Sequence, residues 1–364
     1  MAANLKKSIL SKSMILEQNS QISKKLLISG GGKCNITNQN ISLQNYLFKY
    51  PYLKNTLDNF SYKNNLEFFK NIDFVKIRNH QFFAKNSSLI KEALLEKINT
   101  LILTNIKVED IDKKDDVFII SSTNAKYMAK RVVIASGGIS YAELGASDLA
   151  LKVAKKFNIG CSDFLPALVP FSLQKQDFWL KNLSGVSVDV CIKFFDKKGD
   201  ILKQIKSSML CTHRGISGPA ILQASLWWSK GAFFVDFMPD FDFNQIKNNK
   251  KQLSTILPLP KNFIKAFLEN FELEDKPYFK YSVDEINIIH TLKNYKISPA
   301  GTLGFNKAEI CKGGVFELDE NYESSIKGLY FIGECVDVSG MMGGYNIHFA
   351  FASAKKLANH LNSL

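Results

Sequence analysis

The sequence predicts an α/β fold in which both chain ends build one parallel, ligand-holding sheet, with a β-rich domain and a helical stretch inserted between them. Three observations predict it. Near the C-terminus, Gly328-Leu329-Tyr330-Phe331-Ile332-Gly333 reads as a buried strand breaking at a glycine. Glu334 and Asp337 follow just past its carboxyl end, where open α/β sheets hold ligands. Gly343, Gly344, Tyr345 and Asn346 then open a helix whose apolar positions Ile347, Ala350, Phe351, Ala354, Leu357 and Leu361 recur at helical spacing. The two glycines let its first backbone amides approach a ligand. Near the N-terminus, the run Leu26-Leu27-Ile28-Ser29 enters the triplet Gly30-Gly31-Gly32, followed by Lys33, Cys34 and Asn35. Such a loop can wrap its amides around a phosphate or the edge of a ring.

The remaining elements follow in chain order. Ser13-Met14-Ile15-Leu16 reads as a short buried strand ending in Glu17, placed as the acid that accepts hydrogen bonds from ribose hydroxyls in dinucleotide-binding sheets. Residues from Tyr50 to Lys97 read as mainly helical, with Phe60, Leu66, Phe68, Phe69 and Phe74 in the core. Ile106 to Val108 and Val117 to Ile120 read as strands separated by the charged turn Asp112 to Asp116. The strand Arg131 to Ala135 breaks into Gly137 and Gly138, and Ser147 caps a helix carrying Leu149, Val153, Ala154 and Phe157.

After Pro166 and Pro170 the texture changes. Val186, Val188, Val190, Ile192 and Phe194 alternate with polar residues, and Asp196-Lys197-Lys198-Gly199-Asp200 turns the chain into a second strand. Asn244 to Lys293 reads as helical, and Gly313-Gly314-Val315-Phe316 returns to the first domain. The expected organisation is a ligand-binding domain in two parts, 1–170 and 313–364, an inserted β-rich domain at 171–243, a helical subdomain at 244–294, and a return of the insertion at 295–312.

Composition bounds the function. With 364 residues, 46% hydrophobic and 22% charged, the chain is long enough for more than one buried core. No apolar run has the length of a membrane span, and the N-terminus lacks the apolar centre of a signal peptide, so a cytoplasmic location is expected. The six cysteines show neither a C-x-x-C pair nor histidines at ligand spacing, which predicts reduced thiols and no metal site. The formal net charge of +13 favours polyanions. Basic residues nevertheless cluster only in pairs and triplets, which leaves both a nucleic-acid surface and a merely lysine-rich exterior open.

The runs KLLISGGGKCNITN, VVIASGGISYAELGAS, PALVPF, THRGISGPAILQAS and GGVFELDENYESSIKGLYFIGECVDVSGMMGGYNIHFAFA resemble, in order and over nearly the whole chain, the HI0933-like family of bacterial FAD-binding oxidoreductases. That family includes aminoacetone oxidases and BaiN-type reductases. The resemblance implies a two-dinucleotide-binding, Rossmann-like domain holding FAD, with NAD(P)H as a reductant. It implies cofactor contacts from Glu17, from Ser29 through Asn35, and from Ala135 and Gly137. Further contacts would come from Gly333, Glu334, Asp337 (on the ribityl chain), Gly343, Gly344, Tyr345 and Asn346.

Two residues are catalytic candidates. Cys34 lies in the loop expected over the flavin. His213, in Cys211-Thr212-His213-Arg214-Gly215-Ile216-Ser217-Gly218-Pro219, could supply a proton near neutral pH or could serve only to stabilise a turn. No G-x-S-x-G elbow supports hydrolase chemistry.

Members of the family are linked to amine oxidation, to reduction of conjugated enones and to reduction of uracil rings in ribosomal RNA. The last two are one problem, hydride delivery to the electron-poor carbon of a conjugated C=C. The basic charge favours RNA as the substrate, with a small-molecule enone reductase or amine oxidase as the alternative. One departure stands out: no G-x-G-x-x-G is present, and Met1-Ala2-Ala3 resembles the middle of the family's first helix. The expectation is a missing first strand and fingerprint, with a truncated flavoprotein that binds no FAD as the reading of another class. The sequence leaves oligomeric state open.

Overall fold

Two short parallel pairings organise the unit formed by Met1–Leu165 and Glu309–Leu364. A computed structural model describes residues 1–78 and 80–364, and a second unit comprises Pro166–Ala308. In the first pairing Met14–Leu16 lies beside Leu101–Leu103, and in the second Val132–Ile134 lies beside Leu329–Phe331 with Val133 opposite Tyr330. The second pairing joins segments from opposite ends of the chain. Its β-branched and aromatic residues suit a pleated, buried surface, and Leu329, Tyr330 and Phe331 are all buried. The helix Tyr345–Ser363 follows and buries Phe349, Ala352, Leu357, Ala358 and Leu361.

The stretch expected to be mainly helical contains helices at Leu53–Asp58, Tyr62–Phe68 and Ser87–Glu96, but two strands interrupt it. Phe74–Ile77 pairs antiparallel with Gln81–Ala84, which pairs in turn with Asn35–Asn38. Phe74, Val75, Ile77, Phe82 and Phe83 prefer extended backbone, and the cross-strand pair of Val75 with Phe83 outweighs the helical setting on either side. The charged segment Asp112-Lys113-Lys114 also proves to be strand, within Val108–Lys114; the reversal narrows to Asp115, in the left-handed region at φ 53°, and Asp116. Ser147 does accept a hydrogen bond from the Leu149 amide (3.2 Å), one residue ahead of the N-cap position, which Asp148 occupies.

The Pro166–Ala308 unit is a seven-stranded sheet with helices on one face. The strands Ser187–Phe195 and Ile201–Thr212 form its centre, joined by the expected turn at Asp196–Asp200. Inward-facing Val188, Val190, Ile192, Ile205 and Met209 share one core with Phe263, Phe267 and Ile289 from the helices Lys261–Asn270 and Val283–His290. The helical stretch therefore completes the core of the sheet. Ser282 caps the second helix reciprocally with Glu285, each satisfying the other's backbone N–H. Among the described residues no helix is long and apolar enough to cross a membrane, and no group of acids, histidines and cysteines could hold a metal ion.

Candidate functional site

The parallel strands Val132–Ile134 and Leu329–Phe331 end side by side, and each runs into a glycine with a left-handed backbone, Gly137 (φ 70°) and Gly333 (φ 72°). The carboxyl ends of parallel strands are where open α/β sheets hold ligands. Glu334 follows Gly333 directly. Its Oε1 accepts from the Cys311 amide (3.0 Å), and both carboxylate oxygens accept from Lys25 Nζ (2.9 and 2.6 Å), which also donates to Ser140 Oγ (2.6 Å). Four chain segments thus meet around this ion pair. Beside it, the buried Ser136 Oγ has no hydrogen-bond partner, although a buried hydroxyl ordinarily finds one.

The glycine triplet is a left-handed turn at the end of a helix, with φ 57°, 67° and 83° at Gly30, Gly31 and Gly32. Lys24–Gly32 begins as regular helix because Leu26 packs into the core with Cys34, Ile36 and Ile90, and helical geometry fails at Ser29, Gly30 and Gly31. A side chain placed at Gly31 would meet nothing within 4 Å, so this loop is open to an incoming group. Lys33 is exposed there. Cys34 is fully buried, and burial pushes its thiol up to about 11, so at neutral pH it is a protonated packing group and a poor nucleophile.

A second polar cluster surrounds the start of the helix Tyr345–Ser363. Asn38 Nδ2 donates to the Gly343 carbonyl (2.8 Å), and the Asn35 and Gln81 side-chain amides lie 3.2 Å apart. Asn346 is fully occupied in pinning Gly340, accepting from its N–H (2.7 Å) and donating to its carbonyl (2.8 Å). Gly344, at φ 94°, has Asn35 Oδ1 and the Thr37 carbonyl packed where a Cβ would stand, so no ligand approaches on that side. The first-turn amides from Tyr345 onward lack acceptors within the helix and remain suited to an anionic or carbonyl group. His348, one turn on, is fully buried: Nε2 donates to the Phe60 carbonyl (3.0 Å) and Nδ1 accepts from Thr37 Oγ1 (2.8 Å). Burial lowers its pKa to about 4.

Glu17 follows its strand as read, and its Oε1 accepts from both the backbone and the side-chain N–H of Asn19 (2.8 and 2.9 Å). Asp337 is buried and faces Ser162 and Lys49, with burial holding its carboxyl above the usual range. Ala135 follows the strand Val132–Ile134 directly and is exposed. His213 and Arg214 form the exposed two-residue tip between Ile201–Thr212 and Gly215–Ser217 in the other unit.

The profile of the HI0933-like protein Rossmann domain matches residues 1–360. The chain belongs to the HI0933-like family. With that membership come a Rossmann-like FAD-binding domain and the class of flavin-dependent oxidoreductase. The ribosomal RNA dihydrouridine synthase of Haemophilus influenzae is 31% identical over 368 residues, covering 93% of this chain and 90% of that protein. The ribosomal RNA dihydrouridine synthase of Escherichia coli is 30% identical over 383 residues, covering 96% and 91%. The 3-dehydro-bile acid delta(4,6)-reductase of Clostridium scindens is 28% identical over 378 residues, covering 93% and 90%. Among solved structures, E. coli quinol fumarate reductase aligns at TM-score 0.47 and 14% identity, covering all of this chain and 68% of that one.

The HI0933-like chain offers features that fit FAD: a hydroxyl without a partner at Ser136, a carboxylate at the strand end and an open glycine loop. Sequence reasoning had missed Lys25, Ser136, Ser140, Gln81 and His348. Only the polar character of His348 and Ser353 on an otherwise apolar helix face could have signalled a built contact there.

Proposed function

We propose that this chain is an FAD-dependent reductase that uses NAD(P)H to saturate the C5=C6 bond of uracil in ribosomal RNA. The observation that carries the reading is the 30–31% identity to two ribosomal RNA dihydrouridine synthases over more than nine-tenths of the chain. In the reaction the nicotinamide loses a hydride, the uracil ring gains it at one carbon of the conjugated bond, and a proton completes the neighbouring carbon. FAD, when bound, supplies the hydride-transfer chemistry. The protein supplies the seat: Glu334 and Ser136 would offer an acceptor and a donor to the cofactor's hydroxyl chain, and the amides opening Tyr345–Ser363 would offer donors to an electron-rich group.

Incubating the purified protein with FAD, NADPH and unmodified ribosomal RNA tests this. Nucleoside mass analysis should find a uridine carrying two added hydrogens, with NADPH consumed in equal amount. No dihydrouridine from a flavin-loaded protein, with turnover of a steroidal dienone in a parallel reaction, would favour the second reading. That reading, a small-molecule enone reductase, draws on the 28% identity to the bile-acid reductase.

A further inference from the structure

We propose that the solvent-facing side of the seven-stranded sheet in Pro166–Ala308 is a stacking platform for unpaired RNA, built on Phe195 and Phe234 and flanked by Lys193, Lys206 and Lys296. The proposal rests on the RNA reading above and assigns the surface that would recruit the strand.

Alternation along the strands separates the two faces. Val188, Val190, Ile192, Phe233 and Val235 point into the core, and Phe194 packs against it, its ring 5.7 Å from that of Phe233. The intervening residues point outward. There Phe195 and Phe234 meet edge to face at 5.3 Å, outside the core and only partly buried. Register places the lysines around them. Lys296 stands opposite Phe234, Phe234 opposite Lys193, and Lys193 opposite Gln204, so one row across four strands reads cation, ring, cation, amide. At the usual strand spacing that row is about 14 Å long. Lys206 lies on the next row, opposite Cys191.

Charge selects the occupant. Among the described residues, no carboxylate comes within ion-pairing distance of Lys193, Lys206 or Lys296, whereas Lys276 and Lys293 of the same unit are both paired. Two acids share the face. Asp236 is buried and engaged with Lys293 and the Met238 amide, and Asp189 is exposed one row beyond Cys191. Rings that carry a π-face and lie between unpaired cations fit a polymer that alternates flat bases with phosphates; a duplex would hide its bases from them. A second protein surface would be expected to bring matching carboxylates, and it enters the test as the competing outcome.

The experiment measures binding of the whole chain to a fluorescein-labelled oligouridylate and to a duplex of equal length, by anisotropy across a salt series. Phe195→Leu with Phe234→Leu keeps apolar packing and removes the rings. It should weaken single-strand binding about tenfold or more and leave the salt slope unchanged. Lys193→Gln, Lys206→Gln and Lys296→Gln together should flatten the slope by about 2, from three lost phosphate contacts. Both variants should keep the parent melting temperature and the parent affinity for FAD.

If the parent binds the single strand and neither variant changes that binding, the platform is wrong while the RNA reading stands. If the parent binds no RNA at low salt, both fall. Loss of a dimer in the leucine variant by sedimentation, with RNA binding intact, would make this face a self-association surface and overturn the proposal.

Discussion

Lys25 and Glu334, 309 positions apart in the sequence, form a 2.6 Å ion pair that ties the helix before the glycine triplet to the end of the strand Leu329–Phe331. Ser140 and the Cys311 amide complete the arrangement: Oε1 accepts from both Cys311 and Lys25, whereas Oε2 accepts from Lys25 alone and keeps room for a further donor. The pair is partly exposed, at 36% and 21% of the side chains, and its Coulomb energy alone is therefore modest.

Removing the carboxylate should cost more than removing the ammonium. Glu334→Ala leaves the Cys311 N–H and Lys25 without their acceptor and should destabilise the fold by about 1–3 kcal/mol. Lys25→Met should cost under about 1 kcal/mol, because water reaches the vacated oxygens. Urea denaturation of the two variants measures the difference, and equal losses would show that the amide contact contributes nothing.

Acid should act through His348. Its pKa falls from about 6.5 unfolded to about 4 folded, principally by burial, so below pH 6.5 the unfolded chain takes up a proton that the folded chain refuses. Its contribution is complete above pH 6.5 and is lost as pH falls toward 4, a change on the order of 3 kcal/mol. His348→Gln removes this titration. The gap in stability between parent and variant should be widest at neutral pH and close toward pH 4; a gap independent of pH would contradict the assignment.

Two glycines near the site should respond unequally to alanine. Both have left-handed backbones, which cost an L-residue roughly 1–2 kcal/mol. At Gly31 nothing else stands in the way, whereas at Gly344 the new Cβ would lie 2.6 Å from Asn35 Oδ1 and 2.8 Å from the Thr37 carbonyl. Gly31→Ala should melt only slightly early, and Gly344→Ala should lose stability several-fold more. Thermal melts that rank them the other way would show that the strand Asn35–Asn38 yields freely.

Much of this architecture was legible in the sequence because it rests on local signals. The strand and glycine at Leu329 to Gly333, the helix after Gly344 and the hairpin around Asp196–Asp200 each carry their own punctuation. The strands Phe74–Ile77 and Gln81–Ala84 were hidden because the strand that seats their hairpin in a sheet, Asn35–Asn38 beside Gln81–Ala84, lies some forty residues upstream. The site followed the same rule. Glu334 was visible beside its glycine, but nothing local distinguishes Lys25 from the chain's other lysines, and its role exists only through contacts more than a hundred residues away. Asp337 illustrates the converse: the family resemblance implied a ribityl contact from it, and its side chain faces Ser162 and Lys49.

FAD bound where Val132–Ile134 and Leu329–Phe331 end would be held by Glu334 and Ser136. Fluorescence titration of FAD against the parent protein, Glu334→Ala, Ser136→Ala and Asp337→Asn tests it most directly. One site is expected, weakened about tenfold or more by loss of Glu334, several-fold by loss of Ser136, and unchanged within about twofold in Asp337→Asn. FAD affinity that survives Glu334→Ala and collapses in Asp337→Asn would contradict it.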